Sequence, residues 1–213
     1  MLNLPKNEGL TTERKFRLLF AASEDLRNVI TTIVAIPKSS KATVTCIIND
    51  IETETTSRNI ILLLIALTFE PAEAANIMVH LWYSALIPGK LLQRIREKVL
   101  PLIQDVCQKI ENKPASSFQA KRFSINGKTL RVVLLKEQWL KLPAYLDVPD
   151  GLTVVRVKEI RDAVVCAPHR LDHVHRHLYN LSPRARTSMM RFRERGVLFP
   201  FGAPTNEFDT PNP

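Results

Sequence analysis

The alternation of apolar and polar residues divides the first part of the chain into two kinds of element. Phe16 to Ala22 (FRLLFAA) is a short apolar run with polar flanks, which predicts a buried strand. Ser23, Glu24 and Asp25 follow with N-cap chemistry. Asp25 to Ile36 then places Leu26, Val29, Ile30 and Ile33 at helical spacing, until Pro37 closes the run. Ala42 to Ile48 (ATVTCII) is β-branched and apolar, which predicts a second buried strand. Asn49-Asp50 ends it, and Glu52 to Phe69 reads as a helix whose Ile60–Leu67 stretch is apolar on every side and therefore buried. Strand, helix, strand and helix in this order make a βαβ unit, with parallel pairing through a right-handed crossover.

Helical periodicity then takes over. Pro71 suits the first turn of a helix reaching about Ile87, and Pro88-Gly89 breaks it. Lys90 to Ile110 is periodic again, with Pro101 marking either a kink or a join between two helices. Phe123–Ile125 and Thr129–Leu135 flank Asn126-Gly127, a dipeptide that tolerates φ > 0 at both positions and so predicts a hairpin. Trp139–Leu146 predicts a short helix, Val148–Gly151 a turn, and Thr153–Ala167 and Arg170–Tyr179 two more helices. Ser182-Pro183 starts a last helix and Gly196 stops it. Val197–Phe201 predicts a final short strand, and the residues from Gly202 read as a loop. The fold class is α/β: helix-rich, with a parallel βαβ core and a small β-hairpin.

Composition narrows the function more than the fold. The 213 residues are 45% hydrophobic and 24% charged, which excludes wholesale disorder and collagen-like structure. Thirty basic against 21 acidic residues give a net charge of +9. The excess is local, with ten Lys/Arg against four Asp/Glu between Arg156 and Arg195. Such a stripe meets nucleic acid, acidic lipid or an acidic protein surface, or else is a solvated helical face, as its lack of interleaved aromatics suggests. The N-terminal MLNLPKNEGLTTERK has no apolar signal-peptide core, and the eight apolar residues from Ile60 fall well short of the ~20 that a membrane span needs. No membrane association is expected, and a cytoplasmic or nuclear location fits. Cys46, Cys107 and Cys166 are far apart and follow no metal spacing, as in a reducing compartment.

Four groups of residues carry candidate chemistry. Nucleotide-binding α/β folds use a Gly-rich first turn and an acid after the second strand that bonds a ribose hydroxyl. Asp50 is placed as that acid, but the turn is Ala21-Ala22-Ser23-Glu24 and has no glycine. The alternative is that Ser23 and Asp25 cap one helix and Asp50 the next. His169, His173 and His177 share a helical face at zinc-binding spacing, yet Arg170 and Arg176 oppose a cation, so a solvated helix is the better reading. No nucleophile or metal motif surrounds the cysteines, which fit packing or surface positions. His80–Tyr83 and Met189, Met190 and Phe192 sit on helices whose apolar faces read as core. The arginines of the last helix form the best exposed binding face.

The stretch LLFAASEDLRNVITTI followed by CIINDIETETTSRNIILLLIALTF resembles a domain-of-unknown-function family, number 4470, found mainly in fungi and also in the N-terminal part of dynein axonemal assembly factors. HLWYSALI, PLIQDVCQKI, DVPDGLT and RFRERGVLFPFG look like the same family in the same order. The resemblance implies a Rossmann-like, diverged methyltransferase-type core in an incomplete sheet, and members often continue beyond the PNP motif. The implied organisation is an N-terminal extension over residues 1–15, a single Rossmann-like domain over 16–202 and a loop-like tail over 203–213. Positions matching the family are Asp25, Arg27, Asn49, Asp50, Arg58 and Asn59. The family reads Ser-Gly-Asp-Leu/Ile-Arg after its first strand. Glu24 replaces that glycine here, a departure that counts against a cofactor pocket. The Cys/His array of the MYND-type zinc finger that some members carry is absent from the sequence.

The expected function is a non-catalytic interaction or assembly module with no cofactor, metal or catalytic residue. It would meet a protein partner through Arg184, Arg186, Arg191, Arg193 and Arg195. The alternative is a methyltransferase-like enzyme holding S-adenosylmethionine with Ser23, Asp25, Arg27, Asn49 and Asp50. A second alternative is weak nucleic-acid binding through the basic stripe.

Overall fold

The computed structural model describes residue 7 and residues 15–125, 127–198 and 204–213. It is a mixed α/β structure dominated by helices, with small sheets, and it divides into two compact units, Met1–Ile61 and Leu62–Pro213.

In the first unit, β1 (Lys15–Ala21), α1 (Arg27–Val34) and β2 (Thr43–Asn49) form the predicted parallel βαβ, with register running from Lys15 opposite Thr43 to Ala21 opposite Asn49. The prediction of buried strands is corrected. Both strands alternate exposed and half-buried positions, and no residue of either is fully buried. Phe16, Leu18, Phe20, Val44, Cys46 and Ile48 share the half-buried face. The reason is the size of the sheet: among the described residues it has two strands and one shielded face, whereas continuous apolar strands need cover on both. Helix α1 starts two residues later than predicted, because the Asp25 carboxylate accepts the Arg27 N–H at 2.9 Å and holds Asp25 in the turn. Helix α2 (Thr53–Thr68) follows. Ile60, Ile61, Leu62, Leu64 and Ile65 are all buried, as an all-round apolar segment requires.

In the second unit, α3 (Pro71–Tyr83) begins on its proline, β3 (Leu86–Ile87) follows, and α4 (Gly89–Lys109) runs unbroken through Pro101. Pro101 lies on the exposed face, where the carbonyl that it leaves unbonded four residues back is open to hydration. Leu92, Ile95, Val99, Ile103 and Val106 form the buried stripe of α4. The hairpin is β4 (Phe118–Ile125) and β5 (Lys128–Leu135), paired from Phe118–Leu135 to Ile125–Lys128. Gly127 takes φ 75° in its turn, and Asn126 lies outside the described residues. Helix α5 (Lys136–Lys141) continues into a 3-10 turn (Leu142–Leu146). Buried Trp139 donates its Nε1–H to the Gln119 carbonyl at 3.1 Å, which ties α5 to β4. Then come α6 (Val154–Val165), a 3-10 turn (Pro168–Arg170), α7 (Leu171–Asn180) and α8 (Pro183–Arg195). Helix α8 starts and stops as predicted: Ser182 Oγ accepts the Ala185 N–H, and Gly196 closes it at φ 73°.

The end of the chain departs from the sequence reading. Val197 and Leu198 are irregular, and the rest of the strand predicted at 197–201 lies outside the described residues. The Leu198 N–H is taken by Ser84 Oγ at 3.0 Å and so cannot join a ladder. The final residues, read as a loop, instead contain β6 (Thr210–Pro211), antiparallel to β3. Around it Asp209 Oδ1 accepts the first N–H of α4, from Gly89, at 3.0 Å. Asn212 Nδ2 donates to the carbonyls of His80, Leu81 and Ser84 at the end of α3. The Phe208 ring lies 5.0 Å from that of buried His80, whose Nδ1 is 3.1 Å from Ser84 Oγ. This strap therefore satisfies orphan groups at one end of each of two helices. It also explains why α3 stops before Ile87: Leu86 and Ile87 are its pairing partners.

Candidate functional site

The first turn brings most of the candidate cofactor residues to one corner. Ala22 and Glu24 both adopt the left-handed conformation, at φ 50° and 52°, so two residues with side chains stand where a glycine-rich turn is expected. Asp50 stitches this turn to the start of α2. Its Oδ2 accepts the Glu24 N–H at 3.0 Å and its Oδ1 the Glu52 N–H at 3.0 Å. These two bonds, from Glu52 first and then Glu24, hold the Asp50 carboxyl below the usual aspartate range. Asp25 pairs with Arg27 through Oδ2–Nε at 2.6 Å. Asn59, only 3% exposed, donates from Nδ2 to the Glu24 carbonyl at 3.4 Å. Asn49 uses its backbone carbonyl to accept the Ala22 N–H at 2.8 Å, while Arg58 is exposed on α2.

None of the three residues expected to cap a helix at this corner does so: Leu26 holds the N-cap position of α1 without a side-chain bond, Asp25 and Asp50 accept backbone N–H groups in the turns just before α1 and α2, and Ser23 bonds none. Ser23 Oγ and Asn59 Oδ1 are shielded from solvent without a hydrogen-bond partner. An open cleft of about 550 Å³ lies against residues 19–25, Arg27 and Asn28, with Ser23, Glu24 and Asp25 in its lining. Chemically, the corner offers three carboxylates and one guanidinium. One carboxylate bonds two backbone N–H groups and another is paired with the guanidinium. For S-adenosylmethionine the donor set fits poorly. The acid placed for the ribose has each oxygen already bonded to the backbone, and Glu24 puts a side chain where close backbone approach is needed.

The arginines of the C-terminal helices divide into two groups. Arg186 donates to the carbonyls of Leu178, Tyr179 and Leu181 at 2.9–3.2 Å, closing the end of α7. Arg193 donates to the Val165 carbonyl at 2.9 Å, at the end of α6. Arg161 of α6 returns the favour, donating to the Phe192 carbonyl at 2.5 Å and to that of Arg193 at the end of α8. Each guanidinium thus meets carbonyls at the negative end of a helix dipole. Burial is the main cause that lowers the Arg161 pKa below the ordinary arginine value. Arg195 bonds Thr205 Oγ1 at 3.0 Å, Arg184 is exposed and Arg191 is half-buried. Sequence reasoning did not single out Arg161. Its signal is position, since it lies between half-buried Val157 and Val165 at i, i+4, i+8.

Two other readings change with the structure. His169 belongs to the 3-10 turn and not to α7, so the three histidines do not share one helix, and all are exposed. Among the described residues no group of three His, Cys, Asp or Glu is placed to hold a metal ion. The apolar residues of α8 are not buried core: Met189 and Phe192 are half-buried and Met190 is exposed. The described structure contains no helix long and apolar enough to cross a membrane.

Residues 1–87, from the N-terminus through β3, match the family described as Domain of unknown function (DUF4470). The match supports, for that stretch, the family resemblance carried by the strand–turn–helix residues. No curated protein and no solved structure shows a significant match.

Proposed function

We propose that the chain is a non-catalytic interaction and assembly module that presents its C-terminal helices to an acidic protein surface. The observation that carries this reading is the state of α6, α7 and α8. None has a fully buried residue, yet between them they expose Val155 (67%), Ile160, Val164, Tyr179 (83%) and Met190. These side chains sit within the segment that holds the excess of basic residues. Apolar anchors within a basic field are what a specific interface with an acidic partner uses: the anchors supply affinity, and the charges steer encounter. Arginines 161, 186 and 193, bonded to helix-end carbonyls, stiffen the platform, and Arg176 and Arg184 are among the exposed charges not used in this way. The resemblance to a domain found in assembly factors supports an assembly role. The βαβ start supports a Rossmann-like ancestry, and the commitment of Asp50 to two backbone N–H groups argues for a corner that has become structural.

The test compares proteins that co-purify with the wild-type chain, with Val155→Asp/Tyr179→Ala, and with Arg176→Glu/Arg184→Glu, each variant checked for fold by circular dichroism. Both variants are expected to lose the same partners, and an unchanged set overturns the surface. In parallel, S-adenosylmethionine at millimolar concentration is expected to give no thermal shift. A stabilisation near the ~2.7 kcal/mol expected at a hundredfold excess over Kd favours the enzyme instead. Steeply salt-dependent binding of an oligonucleotide, abolished by the charge reversal, favours nucleic acid.

A further inference from the structure

We infer that β2 is a self-complementary edge strand at which two copies of this chain pair, antiparallel about Cys46, into one continuous four-stranded sheet. Among the described residues the only strand beside β2 is β1. Among the described residues, 43–48 make no backbone hydrogen bond outside the β1 ladder. One side of the strand therefore offers a row of N–H and C=O groups with no partner among the described residues. Natural edge strands blunt that hazard with charge, proline, a bulge or shortness. The other strand of the pair has such protection, because β1 carries Lys15 and Arg17. β2 has none: Thr43-Val44-Thr45-Cys46-Ile47-Ile48-Asn49 is uncharged, contains neither proline nor glycine, and is β-branched at five of its seven positions.

The same seven residues show why the partner is a second copy. Reversing the strand about Cys46 overlaps its full length, and each residue then meets one from the same face of the pleat. Val44 lies opposite Ile48 of the other copy, both on the half-buried face, and Thr45 lies opposite Ile47, both on the exposed face. Thr43 meets Asn49, and Cys46 meets itself. No charge faces a charge, and two β-branched cross-strand pairs form on each side of the axis. The two half-buried faces become one surface, so whatever shields one copy lies on the same side of the sheet as its mate. On the other face, Leu19 (67% exposed) and Ile47 (50%) lie side by side in the β1–β2 register, and Ile47 gains a neighbour across the new seam. The arrangement is isologous and closed, so it ends at a dimer and does not propagate.

The experiment uses the full chain. Analytical ultracentrifugation across micromolar concentrations is expected to give a reversible dimer, and a monomer throughout overturns the inference. Oxidation with copper phenanthroline then serves as a distance probe. Opposed Cα atoms in an antiparallel pair are ~4.5–5.5 Å apart, so a Cys46–Cys46 cross-link is expected by peptide mass spectrometry, with Cys107 and Cys166 as internal controls. The reaction is run at alkaline pH because burial raises the Cys46 thiol pKa. Thr45→Lys changes an exposed position on the edge and is expected to weaken dimerisation at least tenfold, with an unchanged circular dichroism spectrum. A dimer that survives Thr45→Lys, or that cross-links through Cys107 or Cys166 but not Cys46, places the interface elsewhere and overturns the inference. Partner capture by the C-terminal helices is a separate readout, so either result stands without the other.

Discussion

Glu24 occupies a backbone conformation that costs an L-residue about 1–2 kcal/mol and a glycine almost nothing. Its N–H is nevertheless held by Asp50 and its carbonyl by Asn59, so the surrounding bonds, not the residue's own preference, keep the turn in shape. The family that the chain resembles has glycine at this position, as the positive φ asks. Glu24→Gly keeps both backbone bonds and removes the steric term, at the cost of ~0.5–1 kcal/mol of extra freedom in the unfolded chain. The expected net effect is a stabilisation of about 0.5–1 kcal/mol, read as a higher urea midpoint; a lower midpoint contradicts the account. The left-handed geometry could not be read from the sequence, where Ser-Glu-Asp looks like ordinary capping. That Asp25 and Asp50 supply acceptors for backbone N–H groups was legible, because an acid just before a helical run is a standard source of them, but their place in the turns rather than at the helix caps was not.

Among the elements, the two ends of α6 and α8 exchange arginines: Arg161 reaches the end of α8 and Arg193 reaches the end of α6. A lysine keeps the charge but not the fork. Arg161→Lys is therefore expected to cost about 1–2 kcal/mol, in line with leaving a shielded carbonyl unbonded. Arg184→Ala, at an exposed position, is expected to stay within about 0.5 kcal/mol. Equal effects in thermal or urea melts refute the division of these arginines into caps and surface charges. Nothing in the sequence marks this division, because the acceptors are backbone carbonyls and leave no side-chain pattern. The βαβ start, α2 and α8 were legible for the opposite reason: periodicity, β-branched runs and a Ser-Pro…Gly pair are local signals. Strand depth was not legible. FRLLFAA and ATVTCII are apolar enough for burial on both faces, and only the number of neighbouring strands shows that one face stays open. The β3–β6 ladder was missed because two residues per strand carry no periodicity.

Across the whole molecule, the perturbed acids and the buried histidine have the same sign of pH dependence. Burial lowers the pKa of His80, so between its ordinary value near 6.5 and its folded value the unfolded chain binds more protons. Stability present above that range is lost as pH falls through it. Asp50, Asp105 and Asp209 are lowered by hydrogen bonds to Glu52 and Glu24, by Lys109 and Lys121, and by Thr210 and Gly89 respectively. Their contribution is complete above the ordinary aspartate value of about 3.9 and is lost as pH drops towards the folded values. Urea midpoints are expected to fall in two stages on acidification, and His80→Gln is expected to remove the first; an unaltered upper stage in that variant rules His80 out as its source. The strap around His80 has a further consequence for how the chain is made. Gly89 waits for Asp209, 120 residues later, and Ser84 for Asn212, 128 residues later. During vectorial synthesis the parallel pair near the N-terminus can close once about fifty residues have left the ribosome. The first turn of α4 must instead stay uncapped until Asp209 has been synthesised.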